Sequence, residues 1–248
     1  MIAGLYDIFN SMWDKYQSIY LISDTHFDDK ELYIGTKKIE RADSDKYIKL
    51  INSKVGRKDL LVHLGDCGSL EQIAKIRADK VLIMGNHDTG ATKYKRQKWK
   101  KVFDKEKYTK IEALSEMKKL YPNCRYTITE NYEFHQPFEK WVVTADNGLF
   151  DWIFEGPLQI SEKLILSHEP LECDWAFNIH GHIHSFTHKD DARHMCICPD
   201  VTGNFEPINF NQLMKSGFMA KIQTIHRDVI DKATKRARKR GYKLGQKK

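Results

Sequence analysis

The sequence predicts an α/β protein built in layers. Five short apolar runs rich in β-branched residues each end in glycine or polar residues, as buried strands do. Helical patterns lie between some of these runs, for example over residues 45–55 and 69–78. Strands that alternate with helices indicate sheets covered by helices. The five predicted strands cover residues 18–23, 60–64, 81–84, 164–166 and 177–179.

Length and composition indicate one large folded domain. The chain has 248 residues, of which 41% are apolar and 30% charged, so it can bury a full core and is neither disordered nor collagen-like. No apolar run approaches the roughly 18 residues of a membrane span, and residues 1–20 lack the features of a signal peptide. We therefore expect a soluble, cytoplasmic protein with no membrane partner.

The number and spacing of the five cysteines also favour the cytoplasm. They are odd in number and contain no C-x-x-C pair, which argues against a disulfide framework or a structural zinc ribbon. Cys196 and Cys198 alternate within an apolar run, which predicts that both are strand residues.

The net charge of +7 is unevenly distributed. Residues 221–248 carry a charge of +9 and residues 91–120 a charge of +7, which leaves the other residues at −9. An acidic body of this kind suits bound metal cations.

The C-terminal segment 221–248 is predicted to be an amphipathic helix followed by a basic tail. Its apolar residues recur at helical spacing. We expect the tail, residues 235–248, to be solvated; the alternative is that it binds the phosphate backbone of a nucleic acid. The apolar positions are Ile222, Ile225, Val229, Ile230, Ala233 and Ala237.

The main domain is predicted to cover residues 1–220, and residues 90–160 are its least legible part. They contain a basic stretch over 92–103, a helical pattern over 111–120 and strand patterns over 126–129, 141–144 and 149–154. This region is either an inserted lobe facing the substrate or an ordinary sheet edge. The sequence assigns no oligomeric state.

Eight polar side chains follow the five predicted strands and form the candidate site. In α/β folds, ligands bind at the carboxyl ends of strands, where loops bring distant residues together. Carboxylates, an amide oxygen and imidazoles suit first-row divalent ions, and so many ligands suit two ions sharing a bridging carboxylate. The residues are Asp24, His26, Asp66, Asn86, His87, His168, His182 and His184.

These residues lie in ordered blocks: D-x-H at 24–26, G-D at 65–66, G-N-H-D at 85–88, S-H at 167–168 and G-H-x-H at 181–184. A lone aspartate or histidine at a strand end is usually a turn residue, but that explanation would have to hold five times in succession. The order of the blocks resembles the calcineurin-like metallophosphoesterase superfamily, in particular its small members from bacteria and their viruses.

The resemblance implies a four-layer αββα sandwich of two mixed sheets flanked by helices, with a binuclear centre at one edge. It implies two divalent ions, with Mn²⁺ favoured over Fe, Ni, Co or Zn. His87 resembles the catalytic histidine, which lies outside the metal shell near the leaving group. Carried over by position, the first ion takes Asp24, His26 and His184, the second takes Asn86, His168 and His182, and Asp66 bridges them.

The implied activity is hydrolysis of phosphate esters. Two dications would bind the anionic ester, metal-bound hydroxide would attack phosphorus, and His87 would assist the leaving group. No arginine cluster lies beside the motifs, which favours phosphodiesters of nucleotide or nucleic-acid type over monoesters. A phosphomonoesterase and a non-catalytic interaction scaffold remain the alternatives.

The sequence departs at two places from the phosphatase motifs of this superfamily. Protein serine/threonine phosphatases of this superfamily continue the G-D block with a second aspartate and an arginine, and they have an arginine before G-N-H-[DE]. Here residues 65–69 read Gly-Asp-Cys-Gly-Ser and residues 84–88 read Met-Gly-Asn-His-Asp, so that activity is disfavoured. The remaining histidines are predicted to be hydrogen-bonded or surface residues rather than ligands: His63, His180, His188, His194 and His226.

Overall fold

Strands and helices alternate along the chain in the structure, which is a computed structural model. It describes residues 4–29, 33–34, 37–38, 43–131, 140–185, 187–220, 222, 232–236 and 239. The helices are α1 (Asp7–Trp13), α2 (Ser44–Lys54), α3 (Leu70–Lys75), α4 (Lys110–Leu120), α5 (Pro199–Thr202) and α6 (Phe210–Lys215), with a 3-10 turn at Ala91–Tyr94.

The strands are β1 (Ile19–Ile22), β2 (Tyr33–Ile34), β3 (Lys37–Lys38), β4 (Leu60–His63), β5 (Asp79–Ile83), β6 (Lys98–Asp104), β7 (Arg125–Asn131), β8 (Lys140–Asp146), β9 (Trp152–Phe154), β10 (Leu158–Ser161), β11 (Leu164–Leu166), β12 (Phe177–His180), β13 (His194–Cys196) and β14 (Ile208–Asn209).

Two mixed sheets form the centre of the molecule. The first has the order β14-β1-β4-β5-β9, in which β14 is antiparallel to β1 and the other pairs are parallel. The second has the order β10-β11-β12-β13, with one antiparallel pair, β10 and β11. The five strands predicted from the sequence are confirmed as β1, β4, β5, β11 and β12. Strands β1, β4 and β5 are parallel neighbours in the first sheet, and β11 and β12 are parallel neighbours in the second. Their carboxyl ends therefore lie at one edge of each sheet.

The two sheets share a core to which each contributes alternate residues of its strands. From the first sheet, Leu21, Val62 and Val81 point into this core, and Leu166 and Ile179 meet them from the second. All five are almost completely buried. The period of two in the strands therefore produces the interface between the sheets.

The opposite face of the first sheet is covered by α2 and α3. Residues Ile48 and Ile51 of α2 and Ile73 of α3 pack against Leu61 and Leu82 of the sheet. Helix α2 begins at a cap in which the Asp43 side chain accepts hydrogen bonds from two backbone N–H groups. The α/β fold with two mixed sheets flanked by helices is therefore confirmed.

Strands β6, β7 and β8 form a separate antiparallel sheet, which together with α4 we call the lobe. Its order is β6-β8-β7, and it has its own small core that includes Phe103, Met117 and Val143. Helix α4 begins with a capping box between Thr109 and Glu112. The lobe comprises the described residues between 98 and 146, and the chain returns from it to the first sheet through β9.

Cys196 lies in β13, but Cys198 precedes Pro199 at the start of α5, so the strand prediction for Cys198 is wrong: a proline at the first helical position favours a helix start here. All five cysteines are free thiols. Among the residues described, no helix is long and apolar enough to cross a bilayer.

The predicted C-terminal helix lies mostly outside the described residues. Ile222 is buried in the core between the sheets, and residues 232–236 are helical. The division of the chain at residue 220 stays a prediction.

Candidate metal centre

The loops that follow β1, β4, β5, β11 and β12 bring the predicted site residues together; we call this edge the metal edge. Four of these residues have a left-handed backbone, with φ of 50° at Asp24, 40° at His26, 57° at Asp66 and 67° at His182. Non-glycine residues rarely adopt this conformation, and such strain concentrates at functional sites.

Two glycines of the motifs let the loops approach the carboxylates closely. A Cβ at Gly181 would lie 2.1 Å from Oδ2 of Asp24, and a Cβ at Gly85 would lie 2.2 Å from Oδ1 of Asp66. The glycines of the G-H-x-H and G-N-H-D blocks are therefore required by packing against the two carboxylates.

Four side chains form a first group, and their candidate ligand atoms all lie within 4.8 Å of one another. They are Asp24, His26, Asp66 and His184. Nε2 of His184 is 3.3 Å from Oδ1 of Asp24, and Nε2 of His26 is 3.5 Å from Oδ2 of Asp66. The backbone N–H of His182 donates to the Asp24 carboxylate at 3.0 Å. Asp24, His26 and Asp66 are almost completely buried.

A second group consists of Asp66, Asn86, His168 and His182. Nε2 of His168 lies 2.9 Å from Oδ1 of Asn86 and 3.3 Å from Oδ2 of Asp66. Nδ1 of His182 lies 3.1 Å from the same Asn86 oxygen. The structure thus brings all seven predicted ligands to one place, in two groups that share Asp66.

The shared contact is a single atom, Oδ2 of Asp66, which faces Nε2 of both His26 and His168. The other carboxylate oxygen, Oδ1, accepts the backbone N–H of His87 at 2.9 Å. Asp66 is thus held by the G-N-H-D loop through Oδ1, while its Oδ2 faces both groups.

Both carboxylates are ionised at neutral pH. Burial raises the pKa of Asp24, but hydrogen bonds from His184 and Ser23 and the charge of His168 outweigh it, so the pKa lies below its ordinary value. For Asp66, burial also acts upward, but the hydrogen bond and charge of His168 lower the pKa to about 2. The metal edge therefore holds two buried negative charges.

The donor set fits divalent metal ions. Nδ1 of His168 is 2.8 Å from the carbonyl oxygen of Leu64, which can only accept, so Nδ1 carries a proton. Its Nε2 faces the oxygens of Asp66 and Asn86, so this nitrogen meets them either with a second proton, as in the hydrogen bond to Asp66, or through a metal ion. Lone pairs directed at one another repel unless a cation lies between them. The mixture of carboxylate, amide and imidazole suits first-row ions.

His87 lies beside this cluster and is exposed to solvent. Its ring is in edge contact with the ring of His26, with 5.2 Å between centroids. Among the described residues, no carboxylate is hydrogen-bonded to its imidazole. His87 therefore lies at the solvent-exposed side of the cluster.

Asp88, the residue after His87, braces the loops rather than His87. Its carboxylate accepts hydrogen bonds from the backbone N–H groups of Asp66 at 2.8 Å, Gly85 at 2.9 Å and Cys67 at 3.3 Å. It therefore joins the loop after β4 to the loop after β5.

Asp200 is a site residue that the sequence analysis missed. Its Oδ2 accepts the N–H of His184 Nδ1 at 2.6 Å, which directs Nε2 of that ring at Asp24. Carboxylates commonly orient metal-binding histidines in this way. Asp200 lies in α5 and belongs to none of the blocks, so the only signal in the sequence was an aspartate following a proline.

The other described histidines are held within the fold. His63 is buried and its Nε2 contacts the hydroxyl of Thr25 at 2.9 Å; burial lowers its pKa to about 4. His180 contacts the carbonyl of Gly181, and His194 contacts Asp191. His188 lies 3.7 Å from Asp190. His226 lies outside the described residues.

Comparison with known proteins gives one family. A model of the calcineurin-like phosphoesterases matches residues 18–195. No curated protein matches the chain. A solved structure, a protein of unknown function, AQ665, from Aquifex aeolicus, is 18% identical over 80% of this chain and 98% of that one, with a TM-score of 0.44. The matched region contains all five motif blocks, and the chain belongs to the calcineurin-like phosphoesterase family.

Proposed function

We propose that the protein is a binuclear metal-dependent phosphodiesterase. The observation that carries the proposal is the position of Asp66 Oδ2 between two groups of metal-binding side chains. One ion would be held by Asp24, His26 and His184 and the other by Asn86, His168 and His182, with Asp66 shared. Mn²⁺ is the first candidate for both sites, because oxygen and imidazole donors are mixed.

The bound ions would neutralise the phosphate oxygens and lower the pKa of a coordinated water. The protein's own residues then have distinct tasks. Asp200 keeps the His184 ring oriented, and Asp88 holds the two loops that carry Asp66 and His87. His87 is exposed beside the cluster and would donate a proton to the leaving oxygen of the ester.

The surroundings of the second group support diesters over monoesters. A cavity of about 280 Å³ lies beside Asn86 and His168, and its lining contains two carboxylates, Glu155 and Glu169, and no lysine or arginine. A monoester would bring a second negative charge to these carboxylates, whereas a diester brings one. Nucleotide and nucleic-acid diesters both meet this requirement.

The test is hydrolysis of bis-p-nitrophenyl phosphate against p-nitrophenyl phosphate by metal-stripped protein resupplied with Mn²⁺. We expect turnover of the diester to return with metal and to exceed that of the monoester. His87→Ala should lower kcat by about 10² to 10³-fold without loss of bound metal. His188→Ala, which removes a histidine outside the cluster, is the matched control and should keep full activity.

The alternatives have separate outcomes. Faster turnover of the monoester would make the protein a phosphomonoesterase. Protein that binds no stoichiometric metal, and whose Tm does not respond to Mn²⁺, would be a non-catalytic scaffold. A salt-sensitive affinity for nucleic acid that is lost on deleting residues 235–248 would make the basic tail a nucleic-acid contact.

The free state of all five cysteines supports a reducing, cytoplasmic location for this activity.

A further inference from the structure

The cavity of about 280 Å³ opens directly beside the second group of predicted metal ligands. Asn86 and His168 of that group belong to its lining, so a phosphate ester bound at the metal edge would extend one of its groups into this space. We call it the glutamate pocket, after Glu155 and Glu169 in its lining. Its volume is just below that of sites which hold a whole small molecule, and it suits one part of a substrate.

One wall of the glutamate pocket comes from the first sheet. The loop after β5 supplies Met84 and Asn86, and Glu155 directly follows β9. The backbone N–H of Met84 donates a hydrogen bond to the carbonyl oxygen of Phe154 at 2.8 Å, which continues the pairing of β5 with β9. The backbone that carries Glu155 is therefore held against the loop that carries the predicted ligand Asn86.

The other wall comes from the loop after β11 and is organised by Asn178 of β12, which is completely buried. Its amide nitrogen donates to Oγ of Ser167 at 2.9 Å, and its amide oxygen accepts the backbone N–H of Leu171 at 2.8 Å. The Ser167 hydroxyl in turn donates to the backbone carbonyl oxygen of Glu169 at 2.6 Å. These hydrogen bonds hold the backbone on both sides of Glu169.

The charge of the glutamate pocket is negative. Glu155 and Glu169 are exposed to solvent, and the lining contains no lysine or arginine. Within the described part of the chain, neither glutamate forms an ion pair. Two carboxylates without a cationic neighbour attract a positively charged group and repel an anionic one. The apolar side chains of the lining are aliphatic: Ile83, Met84, Pro157 and Leu171.

The described lining does not include His87, the residue that would protonate the leaving oxygen. A group in the glutamate pocket is therefore the alcohol group that stays on phosphorus. In this hydrolysis the oxygen of water forms a bond to phosphorus, the P–O bond to the other alcohol breaks, and that alcohol departs with a proton. The second product is the phosphate monoester of the retained alcohol.

We propose that the substrate is a small phosphodiester whose retained alcohol group carries a positive charge, as an amino alcohol or a quaternary ammonium alcohol does, and that Glu155 and Glu169 select this group. The inference rests on the proposed function, because the metal edge has to hold the phosphate. A nucleic-acid strand has one charge per ester, but its neighbouring phosphates would meet the two glutamates, so it fits the pocket poorly.

The experiment compares two chromogenic diesters of nearly equal shape on the full chain loaded with Mn²⁺. p-Nitrophenyl phosphorylcholine carries a quaternary ammonium group, and p-nitrophenyl 3,3-dimethylbutyl phosphate has a neutral carbon in place of that nitrogen. We expect kcat/KM to be at least about five-fold higher for the cationic ester, because each exposed carboxylate contributes a modest attraction. High salt should reduce this ratio, since exposed charges are screened.

Two substitutions test the glutamates themselves. Glu155→Gln and Glu169→Gln should each lower the ratio of the two kcat/KM values, and the double variant should bring it close to one. Glu162→Gln is the matched control and should keep the wild-type ratio. Glu162 is also exposed, but it precedes β11, whereas Glu169 follows the carboxyl end of that strand. All three positions are exposed, so these variants should fold.

The failure of this inference and the failure of the proposed function give different results. Equal kcat/KM for the two esters would overturn the selection of charge and leave the phosphodiesterase in place. A preference for the cationic ester that persists in the double variant would also overturn it. If neither ester nor bis-p-nitrophenyl phosphate is hydrolysed, the proposed function is wrong, and this inference is wrong with it.

Discussion

The metal edge and the junction between the first sheet and the lobe both bury charged groups, but these groups have different partners in the two regions. At the metal edge, two buried carboxylates face ring nitrogens of histidines. At the junction, one arginine has three carboxylate partners and a second, Arg125, has none for its buried nitrogens. The metal edge therefore requires cations, whereas the junction tolerates a cation whose buried nitrogens make no hydrogen bond with a described residue.

Buried charge therefore has different uses in the two regions. Arg96 ties the start of β5 to the end of β8 through Asp79 and Asp146, and so joins the first sheet to the lobe. Within the part of the chain that the structure describes, no lysine or arginine pairs with the carboxylates of the metal edge. The excess of hydrogen-bond acceptors at the metal edge is therefore typical of a site that binds cations, whereas the Arg96 cluster stabilises the contact between the first sheet and the lobe.

The largest expected effect comes from Asp66→Asn at the metal edge. Without the shared carboxylate oxygen, binding of both ions should weaken, and diester hydrolysis should fall by at least about 10³-fold. Metal content by mass spectrometry and turnover of bis-p-nitrophenyl phosphate measure this. Asp174→Asn, at an exposed position, is the control. Retention of two ions per chain in Asp66→Asn would contradict the shared site.

The next effect concerns the junction. Arg96→Met leaves three carboxylates without their common partner and should lower the free energy of unfolding by about 3 kcal/mol. Urea denaturation measures this loss, and activity per folded molecule should change little. Lys100→Met, in the same lobe, should be close to neutral. Equal stability of Arg96→Met and wild type would show that the cluster does not join sheet and lobe.

The same cluster predicts a dependence of stability on pH. Burial raises the pKa of Asp79 and of Asp146, but hydrogen bonds and charge from Arg96 outweigh it, so both pKa values lie below the ordinary 3.8. A lowered folded-state pKa contributes stability above pH 3.8 that is lost as the pH falls through the folded value. Acid unfolding should therefore depend on pH more weakly in Arg96→Met than in wild type.

A smaller effect is expected at Asp200. Asp200→Asn removes the charged acceptor that orients His184 and should weaken metal affinity by about ten-fold, a typical loss for such a partner. Titration of metal-stripped protein with Mn²⁺ gives the affinity, and turnover at saturating Mn²⁺ should recover. Failure to recover would mean that Asp200 has a role beyond orienting the ring.

The smallest effect has the opposite sign. Arg125→Met removes a cation with two unpaired buried nitrogens and should raise the free energy of unfolding by about 1 kcal/mol. Arg96→Met and Arg125→Met, two arginines of one junction, should thus shift the urea midpoint in opposite directions. A loss of stability in both variants would indicate that Arg125 has a structural partner.

Much of the site was predictable because its residues directly follow apolar runs. Each of the five runs is a strand, and parallel pairing brings the ends of β1, β4 and β5 together whatever the loops contain. In the loops, the motif residues could be predicted from the sequence, but their contacts could not. The motif does not predict the contacts of Asp88, whose carboxylate accepts a hydrogen bond from the backbone N–H of Asp66.

By itself, the sequence determined the α/β layering, the five strands and the seven candidate ligands, because these depend on local periodicity and on residues next to strand ends. Only the tertiary structure decided that Asp200 orients His184, that residues 98–104 join a separate sheet, and that Asp146 pairs with Arg96 rather than with Arg125 opposite it. Those contacts join residues 16 to 50 positions apart, and no local pattern encodes which of several charged partners a side chain will meet.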